Sequence, residues 1–366
     1  MNKTSVPLSL WQMALRDFRR QRLAMACFWV LVVLYASALF ADFLAPYSYR
    51  NEDRNYSFCP PTALQFVSPS GKLSRPFVYG MTMSFDEYHR RVYKMDQSKI
   101  YPLKFFVRAD AYRFLWLIPT SVHLFGVEAP GRIHLWGADS RGRDLFSRML
   151  HGGRISLSIG ILGVAISFSI GLLIGGAAGF YGGKIDNILM RVCEMFMMVP
   201  GFYLLLALRA VVPASFNSVQ VYFAIVIILS FIGWAGLARI IRGMCLSLRE
   251  REFVLAAKVM GLSDWAIITR HILPHTLSYS LIAIMLSIPG YILAESALSL
   301  IGLGIQDPYA SWGNLLSEGM GIMQLKFAPW ISLPGFFILL VVMCFNVIGD
   351  TLRDCLDPKF KMGQQG

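Results

Sequence analysis

Few residues in this chain of 366 are arranged as catalysis or metal binding would require. His271 and His275 stand four apart, the spacing at which a helix offers two imidazoles to one metal ion. Pro274 interrupts their helix and no glutamate lies between them, so the zinc-protease pattern is missing. Lys72 and Lys184 each follow a glycine but lack the hydroxyl residue and helix start of a phosphate-cradling loop. No nucleophile–base set is found. The six cysteines have no metal spacing, and only Cys59 is expected on an oxidising side, so no intrachain disulfide is expected. Two carboxylates, Glu194 and Glu295, fall inside apolar runs, where an ionisable side chain is a functional candidate by default. The most organised polar stretch is the island at 249–274.

Within that island, Phe253, Ala256, Ala257 and Met260 fall at i, i+3, i+4 and i+7, one apolar stripe on a helical period. Arg249, Glu250, Arg251, Glu252 and Lys258 flank it. Gly261 suits the left-handed residue just past a helix end. Ser263 is a good N-cap for a second short helix, which Pro274, after Leu273, is expected to end or kink. Two small alanines followed by a glycine corner leave a shallow surface that another protein could approach closely.

Composition sets the surroundings of this island. The chain is 55% hydrophobic and only 15% charged, with a mean hydropathy of +0.53, which points to a polytopic membrane protein. The net charge of +12 does not imply nucleic acid, because the bases cluster beside apolar spans. Apolar runs at about 23–45, 156–181, 188–212, 219–241, 276–300 and 330–351 are each near or above the ~20 residues that cross a bilayer. The first follows a basic amphipathic head at 1–22 and is too long for a secretory signal peptide. Gly171, Gly175 and Gly179 repeat every four residues in the second span, as closely packed helices require. Bases gather in the loops after spans two and four and in the tail at 353–366. The loop 213–218 has no charge, and 302–329 has Lys326 as its one base, which predicts both termini inside.

Between the first and second spans, residues 46–150 change character. They are aromatic and rich in turns, with short strands expected at 76–79 and 104–108. This insertion, outside if the N-terminus is inside, is read either as a lid that receives a substrate-carrying partner or as packing on the outer face. Its end carries Gly137, Asp139, Gly142, Arg143 and Asp144. Asp144 with Arg148 is an i, i+4 pair, and Leu145, Phe146, Met149 and Leu150 form an apolar side, which predicts an amphipathic helix lying along the membrane.

The island resembles the cytoplasmic coupling loop of permease subunits of binding-protein-dependent ABC importers. That pattern reads Glu-Ala-Ala, three residues, Gly, nine residues, then Ile-x-Leu-Pro. Ala256, Ala257, Gly261, Leu273 and Pro274 stand in register, while Leu255 replaces the glutamate and His271 the isoleucine. Gly137, Asp139, Gly142, Arg143 and Asp144 are similar to the Gly-Thr-Asp-x-x-Gly-Arg-Asp signature of the dipeptide/oligopeptide branch, with Ala138 in place of threonine. Glu295 and Ser299 belong to a run similar to the branch's Glu-x-x-Leu-Ser-Phe-Leu-Gly-Leu-Gly signature. Ser311-Trp-Gly and the tail from Gly349 to Pro358 resemble two further motifs of the branch.

The resemblance implies an all-α membrane protein of six transmembrane helices, the MetI-like permease fold, with a large mixed extracytoplasmic insertion after the first helix. The permease core would be 151–352. Glu252, Ala256, Ala257, Gly261, Leu273 and Pro274 would couple to the ATPase, and Glu295 with Ser299 would lie in the translocation path or gate, or bond helix to helix. Implied partners are a second related permease, two ATPase subunits, an extracytoplasmic solute-binding protein and membrane lipid, with no nucleic acid. ATP would be bound by the partner and no cofactor by this chain. The place would be the bacterial inner membrane. Cargo could be dipeptides or oligopeptides, nickel or a modified peptide. A secondary transporter working alone would show an internal repeat and more buried ionisable groups, and neither is clear.

Overall fold

The computed structural model describes residues 10–67, 73–115, 117–213 and 215–356. Its first elements are α1 (Leu10–Arg20), α2 (Arg22–Leu39) and α3 (Ala41–Leu44). Five strands follow: β1 (Gln65–Val67), β2 (Leu73–Phe85), β3 (Arg91–Pro102), β4 (Lys104–Phe114) and β5 (Ile118–Gly126). Then come α4 (Leu145–Tyr181), α5 (Gly183–Met198), α6 (Gly201–Val211), α7 (Ser218–Leu248), α8 (Glu252–Val259) and α9 (Asp264–Ile267). The last are α10 (Leu273–Leu300), α11 (Trp312–Glu318), α12 (Ile322–Phe327) and α13 (Leu333–Leu356). Asp357 and Pro358 of the tail motif, and the turn at 69–71, lie outside the described residues.

Among the described residues five helical runs are long and apolar enough to cross a bilayer: Arg22–Leu39, Leu145–Tyr181, Ser218–Leu248, Asp264–Leu300 and Pro329–Leu356. The expected span at 188–212 is not one straight helix. It is α5 and α6, bent by 88° at the break between them. The corner has a local cause. Pro200 has no N–H to donate and forces Val199 out of the helical region, to φ −81° and ψ 124°. The separate surface helix expected at 144–150 is also corrected, because Leu145 to Leu150 are the first turns of α4 itself. Gly152 and Gly153 do not break the helix but let it approach closely: a methyl at either would stand 3.3 Å from Ser311 or Trp312.

The chain divides into two compact units, residues 1–31, 159–294 and 340–366, and residues 32–158 and 295–339. In the first, the glycine row of α4 packs on α7. A methyl at Gly179 would lie 2.5 Å from Cys245 Cβ and 2.7 Å from the Arg242 carbonyl oxygen. Gly179→Val should therefore force the two helices apart. The expected cost is about 1–3 kcal/mol, read as a lower unfolding temperature in detergent. Asn217 starts α7 with a reciprocal cap, its side chain accepting from Gln220 N while Gln220 accepts from Asn217 N.

In the second unit β1, β2 and β3 form an antiparallel sheet in that order, and β4 and β5 form a separate antiparallel hairpin. The short strands expected at 76–79 and 104–108 are parts of the much longer β2 and β4. Val78, Val127 and Ile133 make the small core beneath the sheet. Ser311 and Asn314 form a reciprocal cap for α11, which gives the Ser-Trp-Gly turn a mechanical meaning.

Candidate functional site

In the first unit, the polar island folds as α8, a glycine corner and α9. Gly261 stands at φ +76°, and its N–H donates to the Lys258 carbonyl at 3.0 Å while Leu262 N reaches back to Ala257 O at 3.2 Å. Ser263 accepts from Ala266 N at 3.4 Å. Ile268–Ile272 form a π turn, a widened turn set just before Pro274, whose ring supplies no N–H. Pro274 therefore does not end the helix: the run Asp264–Leu300 is continuous.

The stripe read from the sequence is divided by the structure. Val254 and Ala257 are buried with Ile267, Ile268, Ile272, Ile241, Cys245 and Phe180. Ala257 thus holds α8 on its own unit and is not presented outward. Glu252, Ala256 and Gly261 are exposed, as are Leu255, Val259 (89%), Met260 (72%) and Trp265. Lys258 Nζ sits 4.7 Å from the Phe180 ring centre, so its ammonium closes the edge of the buried cluster. The outward face is an exposed apolar knob whose backbone rests on the buried apolar cluster.

In the second unit the signature residues form a buried ion cluster. Arg143 Nε donates to Asp139 Oδ2 at 2.6 Å, and Arg148 Nη1 donates to the same oxygen at 2.7 Å. Asp139 also accepts the backbone N–H groups of Arg141 and Arg143 at 2.8 and 2.9 Å. Both arginines reach Asp307 Oδ1, at 2.9 and 3.1 Å, and Arg143 Nη2 reaches Glu318 at 3.3 Å. The expected Asp144–Arg148 pair is not made. Asp144 is drawn instead to cap the helix start, accepting from Ser147 N at 2.8 Å and Ser147 Oγ at 2.6 Å. Gly142 stands at φ +74° and Gly137 at φ +81°. A methyl at Gly137 would lie 2.6 Å from the Trp330 ring, and one at Gly142 would strike the Asp53 carbonyl.

Burial, followed by the neighbouring negative charge of Asp139, pushes the Glu318 carboxyl up to about 7. An acid whose pKa rises on folding holds more protons folded than unfolded between about 4.5 and about 7. Stability should then fall as pH rises through that window and level off above it. Glu318→Gln should flatten this slope, so that unfolding temperatures at about pH 5 and about pH 8 lie closer together than in the parent.

Glu295 is fully buried in the same unit. Its carboxylate accepts from Ser299 Oγ at 2.7 Å and Ser156 Oγ at 3.2 Å, so in this chain it ties α10 to α4. A cavity of about 430 Å³ lies in the first unit, among α4, α6, α7 and α10. Ser167, Ser287 and Tyr291 give it polar points, with Phe168, Phe202 and Leu205 on its apolar wall. Ser167 Oγ donates to the Ser230 carbonyl at 2.7 Å and meets Tyr291 OH at 2.5 Å. Sequence reading missed these three, because a lone hydroxyl inside an apolar helix carries no periodic signal. Gly163 was the available clue: a methyl there would collide with the Tyr291 ring.

Residues 171–362 match the family described as "Binding-protein-dependent transport system inner membrane component". The chain belongs to this family. Residues 9–61 also match the N-terminal TM domain of oligopeptide transport permease C. An oligopeptide transport system permease protein OppC of Haemophilus influenzae is 45% identical over 188 residues, 51% of this chain and 58% of that protein. The dipeptide transport system permease protein DppC of Bacillus subtilis is 39% identical over 52% of this chain and 58% of its own length. An OppC of Escherichia coli K12 is 41% identical over 49% of this chain and 57% of that protein. The chain thus spans somewhat over half the length of the curated relatives it matches. Among solved structures, an inward-facing conformation of the MetNI methionine ABC transporter covers 56% of this chain and 94% of its own, at 17% identity and a TM-score of 0.42.

Proposed function

We propose that this chain is the permease subunit of an ATP-driven importer of dipeptides or oligopeptides, forming half of the translocation path. The observation that carries the reading is the exposed knob of α8 and α9 on a family member whose relatives are named as peptide permeases. An exposed apolar surface held on a packed base suits a cleft in another protein, because motion of the cleft is passed on through the loop. Two ATPase subunits would supply that cleft. A second, related permease would close the path, and an extracytoplasmic binding protein would deliver cargo. The basic residues around 239–270 favour the cytoplasmic side for the loop and for both termini. Glu252, Ala256 and Gly261 would contact or shape the docking surface, with Ala257 and Leu273 supporting it from within and Pro274 exposed at the start of α10. The chain would bind no ATP and perform no chemistry of its own.

The test is reconstitution of the subunit with its companions in liposomes, followed by uptake of labelled peptides of two to about six residues. ATP-dependent uptake that requires this chain is expected. Accumulation of nickel but no peptide would overturn the cargo, and uptake driven by an ion gradient without ATPase subunits would overturn the class.

A further inference from the structure

We infer that the β4–β5 hairpin is a lipid anchor, with Phe114, Leu117 and Ile118 at its tip seated in the bilayer interface beside the end of α2. The position follows from contacts within the second unit. After Leu39 the chain leaves its span through Phe40, α3 and Ala45. The hairpin runs back along this exit. Near its middle, Asp110 Oδ2 accepts from Ser48 N at 2.9 Å, and His123 Nδ1 bonds the Ala45 carbonyl oxygen at 2.6 Å. Further toward the turn, the Phe114 ring stacks on Phe40 at 5.9 Å and meets Phe43 at 6.3 Å. Phe114, at the turn end of β4, thus lies beside Phe40, the first residue past α2, while Phe106 and His123 lie beside Phe43 and Ala45.

The level of that contact is marked independently. Arg154 Nε donates to the Ala38 carbonyl at 2.6 Å and Nη2 to the Leu39 carbonyl at 2.9 Å, covering the end of α2. Arg154 also pairs with Asp42 at 2.7 Å, and His151 with Asp42 at 3.0 Å. Such a layer of charged and polar side chains stands where hydrocarbon gives way to headgroups.

The turn has the chemistry of that layer. Residues 114–118 read Phe-Leu-Trp-Leu-Ile, where a hairpin in water would use asparagine, aspartate or glycine. Leu117 is 81% exposed and Ile118 62%. Phe105 and Phe106 are exposed along the same hairpin, and Phe106 lies 6.3 Å from Phe43. Arg108 and Arg113, both exposed, are placed to meet lipid phosphates. Water is a poor solvent for such a run, and the acyl–headgroup boundary is a good one.

Benzoylphenylalanine in place of Leu117, irradiated in native membranes, should give adducts one phospholipid heavier than the chain. The same probe in place of Val33, exposed on α2, serves as the reference for lipid contact. Lipid adducts at Val33 with none at 117, or attachment of 117 to another polypeptide, would overturn the anchor. Failure at both positions would overturn the span and the anchor together. Leu117→Asp combined with Ile118→Asp leaves the spans intact. It should raise labelling of the turn by a water-soluble reagent severalfold, and unchanged labelling would count against the proposal.

Discussion

Gly261→Pro is expected to reduce ATP-driven uptake at least tenfold while the chain remains in the membrane at parental amounts. Gly261 occupies φ +76°, which proline, fixed near −65°, cannot adopt. The substitution also removes the N–H that closes the corner on Lys258. Among the described residues, a methyl added at Gly261 would meet no atom within 4 Å, so the substitution strains the corner without pressing on a neighbouring span. Gly261→Ala should be milder, since it adds only the roughly 1–2 kcal/mol of left-handed strain. Charge placed on the knob separates docking from folding. Ala256→Arg, on the exposed side, should block uptake and leave thermal stability unchanged. Ala257→Arg should unfold the loop, because its side chain would enter the buried cluster with Ile267 and Ile268. Uptake and unfolding temperature measured on the same preparations decide between the two effects. Parental uptake by both Gly261→Pro and Ala256→Arg would remove the loop from the transport cycle.

The sequence was informative where a local rule coincides with the tertiary demand. Gly261, Ser263 and the Gly171–Gly175–Gly179 row were legible because a positive φ, an N-cap and a close helix contact each select a small set of residues. Span positions followed from length and apolarity alone. Reading failed where a partner distant in sequence decided the outcome. Arg148 looks local to Asp144, four residues away, but it is turned toward Asp139 and Asp307, the latter 159 residues away. The inner face of α8 could not be told from its outer face, since Val254 and Phe253 are equally apolar and only the packing of α9 selects between them. The bend in the third span was present in the sequence as Pro200, but its 88° angle was not. Tyr291 was indistinguishable from a core aromatic until four helices enclosed the space beside it.

Asp139→Ala should be the most damaging single substitution in the second unit. It leaves two guanidinium groups, each with side chains only 1% exposed, without the carboxylate that both contact. Removing one member of a buried ionic set costs roughly 3–5 kcal/mol, because the remaining charges stay desolvated. That is a large share of the roughly 5–15 kcal/mol by which domains are usually stable. The loss should show as a sharp fall in membrane-inserted protein and a lower unfolding temperature. Asp307→Asn should cost much less, since its side chain is 34% exposed and water can replace it. The informative comparison is a double variant, Asp139→Leu with Arg148→Met. It removes a negative and a positive charge together but still leaves Arg143 with Asp307 and Glu318. If the cluster works by charge compensation, the double variant should be more stable than Asp139→Ala. If Asp139 matters through the Arg141 and Arg143 backbone N–H groups it receives, the double variant should be equally damaged, and the signature would be a turn motif with arginines attached.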